Sequence, residues 1–232
     1  MSDSDGSSFL VVSPHLDDAV LSCGRLMARL EGVTVVTALA GSPDRWDELT
    51  GWDAACGFAV GDNVVAARLS EDQAALGLLS AQQRTVQGLD DQYGPQPGRT
   101  GIIRAGLESA LAELEPHSCA IPLGLQHPDH IEVRRVALLV AARAASPLAW
   151  TVYEDLPYGP NDPSGQFHDE AFAAFAGAGF LLRERHPDLD PTMPVKGAAV
   201  ECYASQLGAM RRFNPNFDRD IETERYWSLE RR

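Results

Sequence analysis

Six residues near the start of the chain, Ser13-Pro14-His15-Leu16-Asp17-Asp18, place one imidazole and two carboxylates within four positions. His15 and Asp18 are three residues apart, so a helical turn would set both on one face. An imidazole and a carboxylate on a common face suit zinc. Asp17 would point elsewhere and stay free to move a proton. The same residues have a second reading, because aspartates at a helix start cap free N–H groups and complement the helix dipole. A second cluster, Gln126-His127-Pro128-Asp129-His130, supplies two more imidazoles and another carboxylate. Three of the six histidines therefore fall in two short segments. Catalytic zinc takes three protein ligands and keeps a fourth position for water, and two such segments facing each other would complete one site.

The elements that must position these residues can be read from hydrophobic periodicity. Phe9-Leu10-Val11-Val12 is a short apolar run that predicts a buried strand, ended by Ser13-Pro14. Further strands are predicted over 33–40, 119–121, 149–153 and 180–183. Helices are predicted over 18–30, 47–58, 70–79, 100–114, 129–145 and 194–212; for the third of these, Ser70 and Gln73 stand at capping-box spacing. Strands that alternate with helices imply right-handed crossovers onto a mostly parallel sheet. The expected fold is α/β: a single Rossmann-like domain over residues 1–232, its sheet flanked by helices. Both His/Asp clusters then lie between a strand and the next helix, beyond the carboxyl end of the strand, where open α/β sheets bind ligands. Loops 91–99 and 157–165 would shape a cleft there. No G-x-G-x-x-G follows the first strand, which argues against a nucleotide enzyme.

Pro14-His15-Leu16-Asp17-Asp18 together with His127-Pro128-Asp129-His130 resembles the paired motifs of the LmbE/PIG-L family of zinc-dependent N-deacetylases. Supporting segments are Arg68 with Glu71-Asp72, Leu89-Asp90-Asp91-Gln92-Tyr93, Glu154-Asp155 within 153–158, Lys196 with Tyr203-Ala204-Ser205-Gln206, and Glu224-Arg225-Tyr226-Trp227. The resemblance implies that His15, Asp18 and His130 bind Zn2+, with Fe2+, Co2+ or Mn2+ compatible with the same donors. It implies Asp17 as general base. It implies His127, oriented by Asp129, as the group that stabilises the oxyanion or protonates the leaving amine. The implied substrate is a small N-acylated molecule such as an N-acetylamino sugar of the N-acetylglucosamine type, and the products are acetate and a free amine. Leu16 replaces the family's usual proline and Ala19 stands where glutamate is frequent. Neither is a ligand position, and both point to a branch apart from the sugar-lipid and thiol-cofactor members.

Other residues carry weaker readings. Arg68 and Asp90 are candidates for sugar hydroxyls and Tyr93 for the cleft wall; the alternative for Arg68 is an ion pair with Glu71 or Asp72. Glu154 and Asp155 either support the metal ligands from behind or cap a turn. Trp46 and Trp52 stack on a sugar or pack in the core. Lys196 reads as a surface charge, and His117, His168 and His186 have no partner pattern. A net charge of −14 disfavours nucleic acid and anionic lipid. The four cysteines are scattered without a C-x-x-C pair, the polar segment Met1 to Ser8 lacks the pattern of a signal peptide, and the most apolar run, 136–142, is far too short to span a bilayer. A cytoplasmic, non-membrane protein is expected. The competing function is a non-catalytic sugar- or metabolite-binding protein on the same scaffold.

Overall fold

The computed structural model describes residues 8–144, 148–189 and 194–232; the polar segment 1–7 and the predicted helix end at Ala145 lie outside the described residues. Seven strands form one sheet in the order β3-β2-β1-β4-β5-β7-β6. They are β1 (Phe9–Ser13), β2 (Val33–Thr37), β3 (Gln82–Thr85), β4 (Ser118–Pro122), β5 (Ala149–Tyr153), β6 (Phe180–Arg185) and β7 (Tyr226–Arg231). The first five in that order run parallel; β7 pairs antiparallel with β5 and with β6. The helices are α1 (Asp18–Met27), α2 (Gly51–Ala55), α3 (Val64–Leu78), α4 (Arg99–Leu114), α5 (Pro128–Arg143), α6 (Gln166–Gly177), α7 (Pro194–Val200), α8 (Ala204–Phe213) and α9 (Phe217–Asp220).

Successive side chains on β1 serve opposite layers, as the period of a strand requires. Leu10 and Val12 pack with Ile103 and Leu107 of α4, Val133 and Val136 of α5 and Phe175 of α6. Val11 packs on the other face with Val20 and Leu21 of α1, Ala75 and Leu76 of α3 and Leu207 of α8. Each such fully buried aliphatic side chain contributes about 1.5–3 kcal/mol. These two layers bury β1 from Leu10 to Ser13, and the loops leaving it and β4 start from the middle of the sheet.

The predicted strands and the mostly parallel sheet are present, but the strand predicted over 33–40 ends at Thr37 and the helix predicted over 47–58 is confined to α2, and other elements differ as well. Helix α3 starts at Val64, where the Asn63 side chain accepts from Ala66 N at 3.0 Å. Ser70 is therefore interior, and its hydroxyl donates back to Ala66 O at 3.1 Å, the local bond available to serine inside a helix. The helix predicted over 194–212 is two helices, because the chain turns at 201–203 to bury Tyr203, whose hydroxyl donates to Asp72 at 2.7 Å. Four elements are not predicted from periodicity: β3, α6 and β7, which complete the sheet edge and its cover, and the short α9.

Candidate active site

The order of the strands fixes where a ligand goes. From β1 the chain moves outward to β2 and β3, then returns to lay β4 on the other side of β1, so the crevice opens between the carboxyl ends of β1 and β4. His15, Asp17 and Asp18 leave β1 and His127, Asp129 and His130 leave β4 at that point. The turn after β4 depends on Gly124, which has φ of 76°; a Cβ there would stand 2.7 Å from Arg134 Cβ and 2.9 Å from His130 O.

Ligand atoms of His15, Asp18 and His130 all lie within 4.8 Å of one another. Asp18 Oδ2 is 3.1 Å from His15 Nδ1 and 3.2 Å from His130 Nε2. His130 is fully buried, and its Nε2 has no hydrogen-bond partner, only that ionic contact. The other nitrogen of each imidazole is backed by a carboxylate: His15 Nε2 meets Asp129 Oδ2 at 3.0 Å, and His130 Nδ1 meets Asp155 Oδ1 at 2.7 Å. Metal-bound histidines are held by such second partners, which fix the tautomer and raise basicity. Two imidazoles, each braced from behind, and the Asp18 carboxylate between them fit a divalent cation of the zinc type. A second set that shares His15, namely His15, His127 and Asp129, also lies within that span.

The capping reading fails for Asp17. It stands at the N-cap position of α1 but its side chain makes no capping bond; Ser13 Oγ accepts from Ala19 N at 3.0 Å instead. Asp18 accepts from the backbone of His15 at 2.8 Å and so shapes its own loop. His127, by contrast, does cap α5: its Nδ1 accepts from Asp129 N at 3.2 Å. The expected orientation of His127 by Asp129 thus comes from the backbone amide. The Asp129 carboxylate is committed to His15, to Asp91 N at 3.0 Å and to Arg99 at 3.0 Å.

Electrostatics separate these groups. Burial and the neighbouring Asp18 push Asp17 up to about 7. Burial opposes ionisation of Asp18 as well, but His130 and His15 hold it well below the usual carboxylate range. Burial works against a charged His130, and Asp18 and Asp155 overcome it and raise the ring to about 9. His15 is raised likewise, against burial, by Asp129 and Asp18. His127 goes the other way: burial and the nearby His15 and His130 lower it.

A cavity of about 670 Å³ opens over this floor, with His15, Asp17, Asp18 and His127 in its lining. Arg68, Asp90 and Tyr93 also line it. Arg68 pairs with buried Asp53 at 2.8 Å and not with Glu71 or Asp72, which are taken by Ser205 and by Tyr203 and Gln83. Asp90 caps its own turn by accepting from Gln92 N at 3.0 Å. Trp46 stands edge-on to Tyr93 at 5.6 Å, whereas Trp52 faces the cavity.

Two residues, Lys196 and His168, escaped sequence reading, and a third, Asp155, had two readings open. Lys196 is buried and pairs with Glu224 at 2.8 Å, so it is not a surface charge. Asp155 supports His130 and also accepts from Gly124 N and Leu125 N, which answers the choice left open for it. His168 bridges Glu154 and Asp162 at 2.8 Å each. Lys196 and Asp155 have partners far away in sequence, and the two partners of His168, though nearer, stand at no recognisable spacing.

The PIG-L family profile, described as GlcNAc-PI de-N-acetylase, matches residues 10–141. No curated protein sequence matches the chain. Among solved structures, the A40926 pseudoaglycone deacetylase Dbv21 is 27% identical with a TM-score of 0.80, the alignment covering 98% of each chain. A triple mutant of a teicoplanin-pathway deacetylase is 28% identical with a TM-score of 0.78 over 97% of this chain and 99% of that one. A zinc-inhibited form of the teicoplanin deacetylase Orf2 is 25% identical with a TM-score of 0.73 over the same shares.

Proposed function

The chain belongs to the PIG-L family of hydrolytic de-N-acetylases, and from that premise we propose a zinc-dependent enzyme that removes an acetyl group from an N-acetylamino sugar, with His15, Asp18 and His130 as the metal ligands. The observation that carries the ligand assignment is that ligand atoms of the three lie within 4.8 Å of one another, His15 and Asp18 lining the cavity and His130 fully buried beside them, with Asp129 bracing His15 and Asp155 bracing His130. The sugar is supported by the family's description as a GlcNAc-PI de-N-acetylase and by Arg68, Asp90 and Tyr93 around the cavity. Fe2+, Co2+ and Mn2+ suit the same donors.

A bound ion of this type polarises the amide carbonyl and lowers the pKa of water to about 7. The remaining work belongs to side chains. Asp17 takes a proton from the attacking water and delivers it to the departing nitrogen as the C–N bond breaks, so acetate and a free amine leave. A positioned acceptor of this kind is worth roughly 10²–10⁴ in rate. His127 accepts from Asp129 N–H at Nδ1, which leaves Nε2 as the donor of the neutral ring. With its pKa lowered, it acts as a neutral hydrogen-bond donor to the carbonyl oxygen and not as the imidazolium of an acid. A non-catalytic binder would have no use for Asp17.

One domain over 1–232 is proposed, in a reducing, cytoplasmic setting. All four cysteines are unpaired, and among the described residues no helix is long and apolar enough to cross a membrane. The net charge of −14 supports a small-molecule partner over nucleic acid. The test is release of amine from N-acetylglucosamine-type substrates with and without a chelator, alongside metal analysis. We expect about one divalent ion per chain, activity that chelation abolishes, and loss of the ion in His15→Ala and His130→Ala. Full metal content in both variants would overturn the ligand assignment.

A further inference from the structure

The cavity is polar at its floor and apolar at its mouth. Gln206, Met210 and Phe213 of α8, four and three residues apart, line one wall, and Trp52 of α2 stands beside them. The Phe213 ring is 64% exposed and rests against Trp52 at 6.0 Å between centroids, 34° from parallel. It is held there from outside: the Arg212 guanidinium lies 5.1 Å above the Phe213 ring and donates to Ala55 O of α2 at 2.9 Å. Fixing an exposed phenyl ring against a tryptophan does little for the core, and it keeps a flat apolar surface open at the entrance to the site.

The cavity's size points the same way. At about 670 Å³ it falls in the range that holds drug-sized ligands, well beyond the needs of an acetamide. Its polar groups locate the excess. Asp53, next to Trp52 in the chain, holds Arg68. Thr50, which caps α2, donates to Gln92 Oε1 at 2.6 Å and so ties α2 to the loop that carries Asp90. The residues suited to hydroxyl groups and the apolar mouth therefore share one wall. An apolar group bound there belongs to the amine-bearing half of the substrate, not to the acyl half.

We propose that Trp52, Met210 and Phe213 form a subsite for an aryl-sized apolar group attached to the acetylated amino sugar. This rests on the deacetylation reading above. The test compares an aryl glycoside of N-acetylglucosamine with the free sugar, in wild type and in Phe213→Ala, whose exposed side chain is safe to remove. Stacked aromatic contacts are worth enough to predict roughly a tenfold advantage in kcat/KM for the aryl glycoside. The advantage should appear in KM and fall several-fold in Phe213→Ala. Binding of the corresponding aryl glucosaminide, which has no acetyl group to lose, is measured by calorimetry in both proteins. Weaker binding to Phe213→Ala supports the subsite even if no acetate is released from either substrate, in which case only the deacetylation reading fails. Equal kcat/KM for the two substrates in wild type, or aryl glucosaminide binding that Phe213→Ala leaves unchanged, overturns the subsite.

Discussion

Asp17 and Asp18 are adjacent and equally buried, yet their surroundings push their carboxyl groups in opposite directions. Asp18 faces two imidazoles and stays ionised. Asp17 faces the cavity and is lifted towards neutral pH by burial and by the negative Asp18 beside it. Neighbouring acids driven apart in this way are how one site comes to hold both a fixed charge and a proton carrier. The spacing of positions 15 and 18 suggests a shared helical face, but α1 starts only at Asp18 and His15 lies in the turn before it; the two meet because the turn folds back and the His15 N–H donates to Asp18. Asp17→Asn keeps the shape and removes the acceptor. We predict normal metal content with kcat down by roughly 10²–10⁴ and KM little changed, since the interaction strengthens mainly in the transition state. Steady-state kinetics beside metal analysis checks this; a variant that turns over like wild type with its ion in place removes Asp17 from the mechanism.

At the level of elements, the two strand-to-helix junctions could be read from sequence because each pairs an apolar run with a compact polar motif. β3 could not, since Gln82-Gln83-Arg84-Thr85 is polar and owes its strand form to register with β2. Nor could the β5–α6 segment, whose order comes from His168. That imidazole joins Glu154 at one end of the segment to Asp162 at the other, and Arg225 adds a bond to Glu154 at 3.1 Å. Between the two carboxylates lie Asp155, which braces His130, and Tyr158, edge-on to His130 at 5.0 Å. Glu154 packs so closely under Gly159 that a Cβ there would stand 2.3 Å from its carboxyl carbon. Burial opposes charge on His168, but bonds to Glu154 and Asp162 raise it above 6.5, while bonds from His168 lower Asp162 below 3.8 against its own desolvation. A raised imidazole adds stability that is complete below pH 6.5 and is lost as pH climbs through the folded value; the lowered carboxylate adds stability above pH 3.8 that is lost as pH falls. His168→Gln should therefore lower Tm most between about pH 4 and 6.5, with the gap to wild type narrowing at higher pH. Thermal melts across that range decide it, and a gap independent of pH would show that the clamp is not ionic.

Across the whole molecule, the site depends on parts of the chain that meet only in the folded state. His15 and Asp129 are 114 positions apart and 3.0 Å from each other. On the proposed ligand assignment, the unfolded chain cannot gather His15, Asp18 and His130 around one ion, so an ion held by them would bind the native state and stabilise it by mass action. For free metal about a thousandfold above its dissociation constant, that is about 4 kcal/mol. A chain of this size gains about 2–4 °C in Tm per kcal/mol, so removal of the ion should lower Tm by on the order of 10 °C. The change should be largest for the β1–α1 and β4–α5 junctions, since without the ion the negative Asp18 is held only by His15 and His130. His130→Ala removes one of the three donors and should respond little to chelator, which separates loss of the ion from side effects of the chelator on the rest of the fold. The measurement is a pair of melts, with and without chelator, for wild type and His130→Ala, with metal content assayed in each sample. Wild-type protein shown to have lost its ion but melting at the same temperature would mean that the two junctions are fixed by the sheet alone.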